Sequence, residues 1–176
     1  MVNEGHPDNV APAMLGGLVV STLVNHTVIA RRLEIRPLAA TVVMPEFHFP
    51  TRAARAALPK DVPLKDAVYN ISRAILVAKA FECGDLELLG QVMDDSLHQP
   101  YRLPLIPGAQ EAMQAARQAG AAAVALSGAG PSLVAFSEKP LPRMRKTIRQ
   151  AFEAAGLKAR IFELEVNPEG AEIQAS

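Results

Sequence analysis

The chain has 176 residues, 49% of them apolar, and its 18 Lys and Arg residues balance 18 Asp and Glu. This is enough for a domain with a buried core. The zero net charge argues against a nucleic-acid footprint or a polybasic membrane surface, though not against a local basic pocket. A single cysteine, Cys83, excludes an intrachain disulfide and suits a reducing compartment. Its setting, "VAKAFECG", reads as that of a small core residue. No apolar run approaches the roughly 18 residues of a membrane span, and "MVNEGHPDN" lacks the basic start and apolar middle of a signal peptide. A soluble, cytoplasmic protein is expected.

In chain order, residues 7–15 predict a short helix, with Pro7 near its start and Gly16-Gly17 at its end. "LVVSTLV" (18–24) and "HTVIARRLEI" (26–35) read as two strands that turn at Asn25-His26. "AATVVM" (39–44) is a buried strand closed by Pro45. "TRAARAAL" (51–58) is an alanine-rich helix that Thr51 can cap. A longer helix runs from about Pro63 to Glu82, where Leu64, Val68, Ile71, Ile75 and Ala78 recur at helical spacing. Gly84 ends it, and Asp85 caps the next helix, "LELLGQVMDD". Residues 108–119 form a further helix, followed by strands "AAAVALS" and "SLVAFSE" with "GAGP" between them. The helix "LPRMRKTIRQAFEAA" carries Met144, Ile148, Phe152 and Ala155 on one face, and "KARIFELEV" is a final alternating strand.

From residue 39 onward the order is strand, helices, strand, strand, helix, strand. That is the split βαβ pattern of an α+β, ferredoxin-like sandwich with extra helices in its first crossover. Helices are expected on one face of an antiparallel sheet. Residues 1–37 do not complete this sandwich and are expected to belong to another sheet, with 38–176 forming the second domain.

Four stretches could carry chemistry. In "EGHPDN" (4–9), Glu4, His6, Asp8 and Asn9 precede or open a helix, where free N–H groups favour an anion; an ordinary polar N-cap is the alternative. In "HQPYRLPLIPG" (98–108), three prolines hold the backbone extended or turned, so Arg102 sits on a stiff segment. A fixed guanidinium suits a carboxylate or phosphate, or ties a loop to a helix end. "LSGAGPSLVAF" (126–136) could line an anion site with backbone N–H groups or be a tight β-turn; it lacks the Lys-Ser/Thr of a P-loop. Arg52 and Arg55 share a helix face, which alone could be a solvated basic surface. His26, His48 and His98 show no metal-ligand spacing, and two tyrosines without tryptophan offer no platform for single-stranded nucleic acid.

Taken together and in this order, "EGHPDNVAPAMLGG", "TRAAR..LP", "HQPYRLPLIPG" and "GAAAVALSGAGPSLVAF" resemble motifs of the GHMP kinases, and among them the homoserine kinases. The resemblance runs from about residue 3 to 137. It implies transfer of the ATP γ-phosphoryl group to the hydroxyl of L-homoserine, with Mg²⁺, in threonine synthesis. It also implies that 1–37 is the remnant of an N-terminal kinase domain and 38–176 the C-terminal one. Residue by residue, His6, Asn9, Arg55 and Arg102 match substrate-binding positions, the two arginines gripping the carboxylate. Glu4 matches the magnesium carboxylate, and Ser127, Gly128, Gly130 and Ser132 would line the site from the other side. No catalytic base is identified.

The family's "PxxxGLGSSAA" phosphate loop is absent from this sequence, as are the strands that hold adenine. The resemblance is therefore to a C-terminal half, expected to be inactive alone. A separate N-terminal half and a second copy of the chain are the expected partners. Two rivals are a related kinase acting on mevalonate or a sugar, and a non-catalytic ferredoxin-like binding or dimerisation module. The module would show no exposed apolar seam. The half-kinase would leave one on "LVVSTLV".

Overall fold

The computed structural model describes residues 6–172. Helix α1 (Val10–Leu15) leads into a two-stranded antiparallel sheet, β1 (Leu18–Val24) and β2 (Thr27–Leu33). Asn25 and His26 turn the chain with φ of 46° and 63°, both left-handed, the geometry a two-residue hairpin needs. Then follow β3 (Ala39–Pro45), α2 (Thr51–Ala56), α3 (Leu64–Cys83), α4 (Leu86–Val92), α5 (Gln99–Arg102), a 3₁₀ turn (Leu103–Leu105) and α6 (Ala109–Gln118). Strands β4 (Ala123–Leu126) and β5 (Leu133–Ser137), helix α7 (Pro142–Ala154) and β6 (Ala159–Glu165) complete the chain.

The second sheet has the order β4-β5-β3-β6, antiparallel throughout. This is the ferredoxin-like arrangement expected from the element order. Val43 stands opposite both Leu133 and Ile161, and Leu126 opposite Leu133. Because side chains alternate across a strand, Val43, Leu133, Ala135, Val124 and Leu126 share one face. There α6 and α7 pack on them through Ala112, Met113, Ala116, Met144, Ile148 and Phe152. Ala109, Ala112 and Ala116 of α6 are fully buried, so that helix approaches α7 closely, and Phe152, also fully buried, fills the space left. Ala155, expected on the same stripe, lies beyond the helix and is exposed.

Helices are not confined to that face, as the sequence had suggested. The end of α3 and helix α4 cover part of the opposite one, where Phe81 meets Phe136 edge-on at 5.1 Å beside Leu38, Leu89 and Ala123. Beyond this cluster Met44, Phe162 and Leu164 lie open. The stripe on α3 is likewise exposed: Leu64, Val68, Ile71 and Ile75 show 80, 55, 65 and 69% of their surface. Its apolar spacing made a helix, but no described element covers it. Val20, Leu23, Val24, Val28 and Ile29 on the hairpin are exposed as well, the open seam expected of a sheet without its partners.

Cys83 and Thr51 depart from the sequence expectation. Cys83 is exposed, because it closes α3 on the rim instead of entering the core. Thr51 is the first helical residue of α2, not its cap; Pro50 precedes it in extended conformation and no side chain caps the helix. Of the two forms open to residues 99–105, the turned one is taken: they wind into two short helical turns, since Pro100 and Pro104 sit at first-turn positions where their missing N–H costs nothing.

Candidate functional site

The site assembles around α5. Asp95 precedes this turn and caps it: its Oδ2 accepts the N–H of His98 at 2.8 Å and that of Gln99, while its Oδ1 accepts the N–H of Leu97 at 2.9 Å. Oδ1 also accepts the Asn70 amide of α3 at 2.6 Å, and Asn70 in turn accepts the N–H of Ser96. The carboxylate is thus saturated with donors. Burial alone would raise its pKa, but the N–H of Gln99, the Asn70 amide and the N–H groups of Leu97 and His98 outweigh it and hold the group below its ordinary value. His98 is pushed down, chiefly by burial and also by the neighbouring Arg102 charge, against the pull of Asp95.

The two ends of α5 reach two other motifs. At its start Gln99 is buried, and its Oε1 accepts the N–H of Leu126 at 2.8 Å. At its end Arg102 donates through Nε to the carbonyl of Ala54 in α2 at 3.1 Å, with Nη1 3.4 Å from His98 Nδ1. Helix α2 also carries Arg55, which is exposed and engaged in an interaction of its own.

The glycine stretch forms the β4–β5 turn, as its tight-turn reading had it. Ser127 N–H donates to Ser132 O at 2.8 Å and Gly130 N–H to Ser127 O at 3.2 Å. Gly128 and Gly130 adopt φ of 60° and 82°. A β-carbon on Gly130 would come within 2.9 Å of Ile106, which follows the 3₁₀ turn, so the glycine lets the two segments close on each other. Among the described backbone groups, the N–H of Gly128 and of Ala129 donate no hydrogen bond within the chain. Such free donors suit an anionic oxygen. Ser127 and Gly128 are exposed, Gly130 and Ser132 half-buried.

At the N-terminal end, His6 Nδ1 lies 2.6 Å from Asp8 Oδ1. Asn9 is the cap residue of α1, but its side chain makes no capping bond, so the ordinary-cap reading does not hold for it. Helix α1 starts at Val10, later than the sequence suggested, because the first turn is irregular through Asn9. No hydrogen bond or ion pair among the described residues joins His6 or Asn9 to Arg102. Glu4, the metal candidate, lies outside the described residues. Among those described, no group of three His, Cys, Asp or Glu could hold a metal ion.

The structure thus joins the arginine helix, the proline-rich turn and the glycine turn, and adds Asn70, Asp95 and Gln99, which sequence reading passed over. A signal for Asp95 was present: an acid ahead of "HQP", the spacing of a side-chain cap before a proline-started turn. A groove of about 750 Å³ between Arg36, Leu38, Lys139 and Leu164 lies at the opposite end of the sheet from these motifs. No helix among the described residues is long and apolar enough to cross a membrane.

Comparison with known proteins bears on this arrangement. Residues 77–154 match a family model described as GHMP kinases C terminal. A homoserine kinase of Moorella thermoacetica is 52% identical over 162 residues, which cover 92% of this chain and 55% of that protein. The crystal structure of homoserine kinase from Cytophaga hutchinsonii superposes with a TM-score of 0.88 at 30% identity, over 93% of this chain and 53% of that one. L. major mevalonate kinase, in complex with R-mevalonate, shares the fold at a TM-score of 0.61 and 21% identity, over 89% of this chain and 51% of that one. The chain spans about half the length of the curated relatives it matches.

Proposed function

Because the chain carries the C-terminal domain of the GHMP kinases and belongs to that family, we propose that it supplies the substrate-gripping part of a kinase phosphorylating the side-chain hydroxyl of L-homoserine with ATP. One observation carries this reading. Arg102 is anchored on the carbonyl of Ala54, in the helix that bears Arg55, while the same short turn holds the glycine loop through Gln99. Guanidinium groups bind and orient a carboxylate by both charge and fork geometry, and Arg55 is the residue next to the Ala54 that anchors Arg102. His6 and Asn9 contact the amino acid. Ser127, Gly128, Gly130 and Ser132 close the site from the other side, and the open N–H groups of Gly128 and Ala129 fit a phosphate oxygen of ATP.

Catalysis is positioning and charge neutralisation, which phosphoryl transfer chiefly requires. ATP supplies the phosphoryl group. Glu4 is the carboxylate proposed to hold magnesium. We place the domain boundary at 37/38, near the end of the linker that joins β2, which stops at Leu33, to β3, which starts at Ala39, so that β1–β2 extends a sheet of the N-terminal kinase domain. The uncovered apolar surfaces of the hairpin and α3 support two partners for the whole kinase, an N-terminal half and a second copy of the chain.

Calorimetric titration with L-homoserine tests the reading, first on the chain alone and then with the N-terminal half of a relative. Binding heat and restored ATP-dependent phosphorylation in the mixture are expected, with negligible turnover by the chain alone. No binding in either sample, with the chain cooperatively folded, would overturn it.

A further inference from the structure

Asp95 and Gln99 touch none of the groups assigned to substrate, yet they sit where the site's parts meet. The side chain of Asp95 is 11% exposed, and its two oxygens accept four donors from two segments, α3 and residues 97–99. One buried group therefore fixes where α5 begins and how it is oriented on α3. A four-residue turn is too short to hold its own shape in water, so its geometry depends on that cap. Both consequences are visible in the turn itself. Its first residue, Gln99, is 6% exposed and satisfies the N–H of Leu126, the last residue of β4 before the glycine turn. Its last residue, Arg102, is held on α2.

We propose that Asp95 and Gln99 are positioning residues, a buried clamp that sets the Arg102 guanidinium and the Ser127–Ser132 turn in one fixed register. Asp95 acts on the glycine turn only through Gln99, although the two are not in contact with that turn's tip. The consequence is long-range and specific: loss of the Asp95 carboxylate frees the Leu126 amide, and the bonded amides of Ser127 and Gly130 after it, ahead of the rest of the sheet. A buried donor whose acceptor is removed opens to solvent more often, and amide exchange reads that opening locally.

The functional half of this inference rests on the kinase reading; the mechanical half does not. Amide exchange is followed by NMR on the whole chain for Asp95→Ala, Asp95→Asn, Gln99→Leu and Gln99→Glu. Leu126 is expected to exchange about tenfold faster or more in Gln99→Leu and Asp95→Ala. It should be intermediate in Asp95→Asn, which keeps one acceptor, and near wild type in Gln99→Glu, which keeps the accepting oxygen. The amides of Ile148 and Phe152 should not change. If Asp95→Asn and Asp95→Ala leave Leu126 at its wild-type rate, or if Leu126 and Phe152 accelerate together, the clamp is refuted. Should Asp95→Ala fail to fold, Asp95→Asn and the two Gln99 variants decide.

L-Homoserine is then added to the wild type, Gln99→Glu and Gln99→Leu. Shifts at Gly128 and Gly130 in the first two, weakened at least tenfold in the third, support coupling to the substrate site. Equal shifts in all three refute that coupling. Shifts in none remove the kinase reading of Arg102 and leave the exchange experiment to judge the clamp.

Discussion

The side-chain oxygen of Gln99 accepts the backbone N–H of Leu126 at 2.8 Å, across 27 positions of sequence and in a buried setting. Through this bond the proline-rich turn and the glycine turn become one structure. The carbonyl of Ala54 does the same for Arg102 and the arginine helix.

Arg102 is expected to act through its fork rather than its charge alone. Arg102→Lys keeps the charge but cannot donate to Ala54 and a carboxylate in the same plane. Affinity for L-homoserine, measured by calorimetry on the complemented kinase, should fall by about tenfold to a hundredfold, the loss of one or two charge-assisted hydrogen bonds. Unchanged affinity would remove Arg102 from the carboxylate site.

Acid should weaken the fold through the α5 network. Asp95 is held below its ordinary pKa in the native state, so the unfolded chain binds the proton more readily. Stability from this group is present above the unfolded aspartate value and is lost as pH falls through the native one. His98, also depressed, acts with the same sign at higher pH, its contribution fading as pH drops below the ordinary histidine value. Urea unfolding at stepped pH should therefore show stability declining from neutral toward acid. Asp95→Asn should be less stable at pH 7 and show a shallower loss in the carboxylate range.

Two glycines should differ in what a methyl group costs. Gly128 has φ of 60° with nothing near its β-position, so Gly128→Ala meets backbone strain alone, about 1 kcal/mol. Gly16 has φ of 71°, and its β-carbon would fall 2.4 Å from Gly170 N and 2.6 Å from Pro168 O. Gly16→Ala must also displace the segment that follows β6, and should cost more, about 2–3 kcal/mol. Denaturation midpoints of the two variants order them; equal midpoints would mean the 168–170 segment yields freely.

The exposed stripe on α3 should drive association. Ile71→Glu and Ile75→Glu replace side chains that are already 65 and 69% exposed, so stability should move by no more than about 0.5 kcal/mol. Sedimentation velocity of the wild type should show concentration-dependent self-association that the double variant loses. A wild type that stays monomeric at every concentration would refute this.

The core should behave as its burial dictates. Phe152→Ala removes a fully buried ring between α6, α7 and the sheet, and is expected to cost about 3–5 kcal/mol in chemical denaturation.

Local chemistry made much of this molecule legible without coordinates. The Asn25-His26 turn, the Asp85 cap, the Met144–Ile148–Phe152 stripe and the strand-and-helix order that gives β4-β5-β3-β6 depend on neighbours within a few residues or on one periodic face. The arginines and glycines announced themselves by type and spacing. Periodicity could show that Leu64, Val68, Ile71 and Ile75 share a face, but not whether anything covers it; that is a property of the surrounding elements, and here the face is open. Cys83 looked like a core residue for the same reason, since apolar neighbours in sequence are not neighbours in space. Asp95 had a local cap signal, but its bond from Asn70 and the bonds that Asn70 and Gln99 accept come from 25 or more positions away, and no local pattern encodes such meetings. The sequence determined which elements form and which polar and charged side chains they present; tertiary structure decided which of those meet, because burial and long-range hydrogen bonding exist only once the chain has closed on itself.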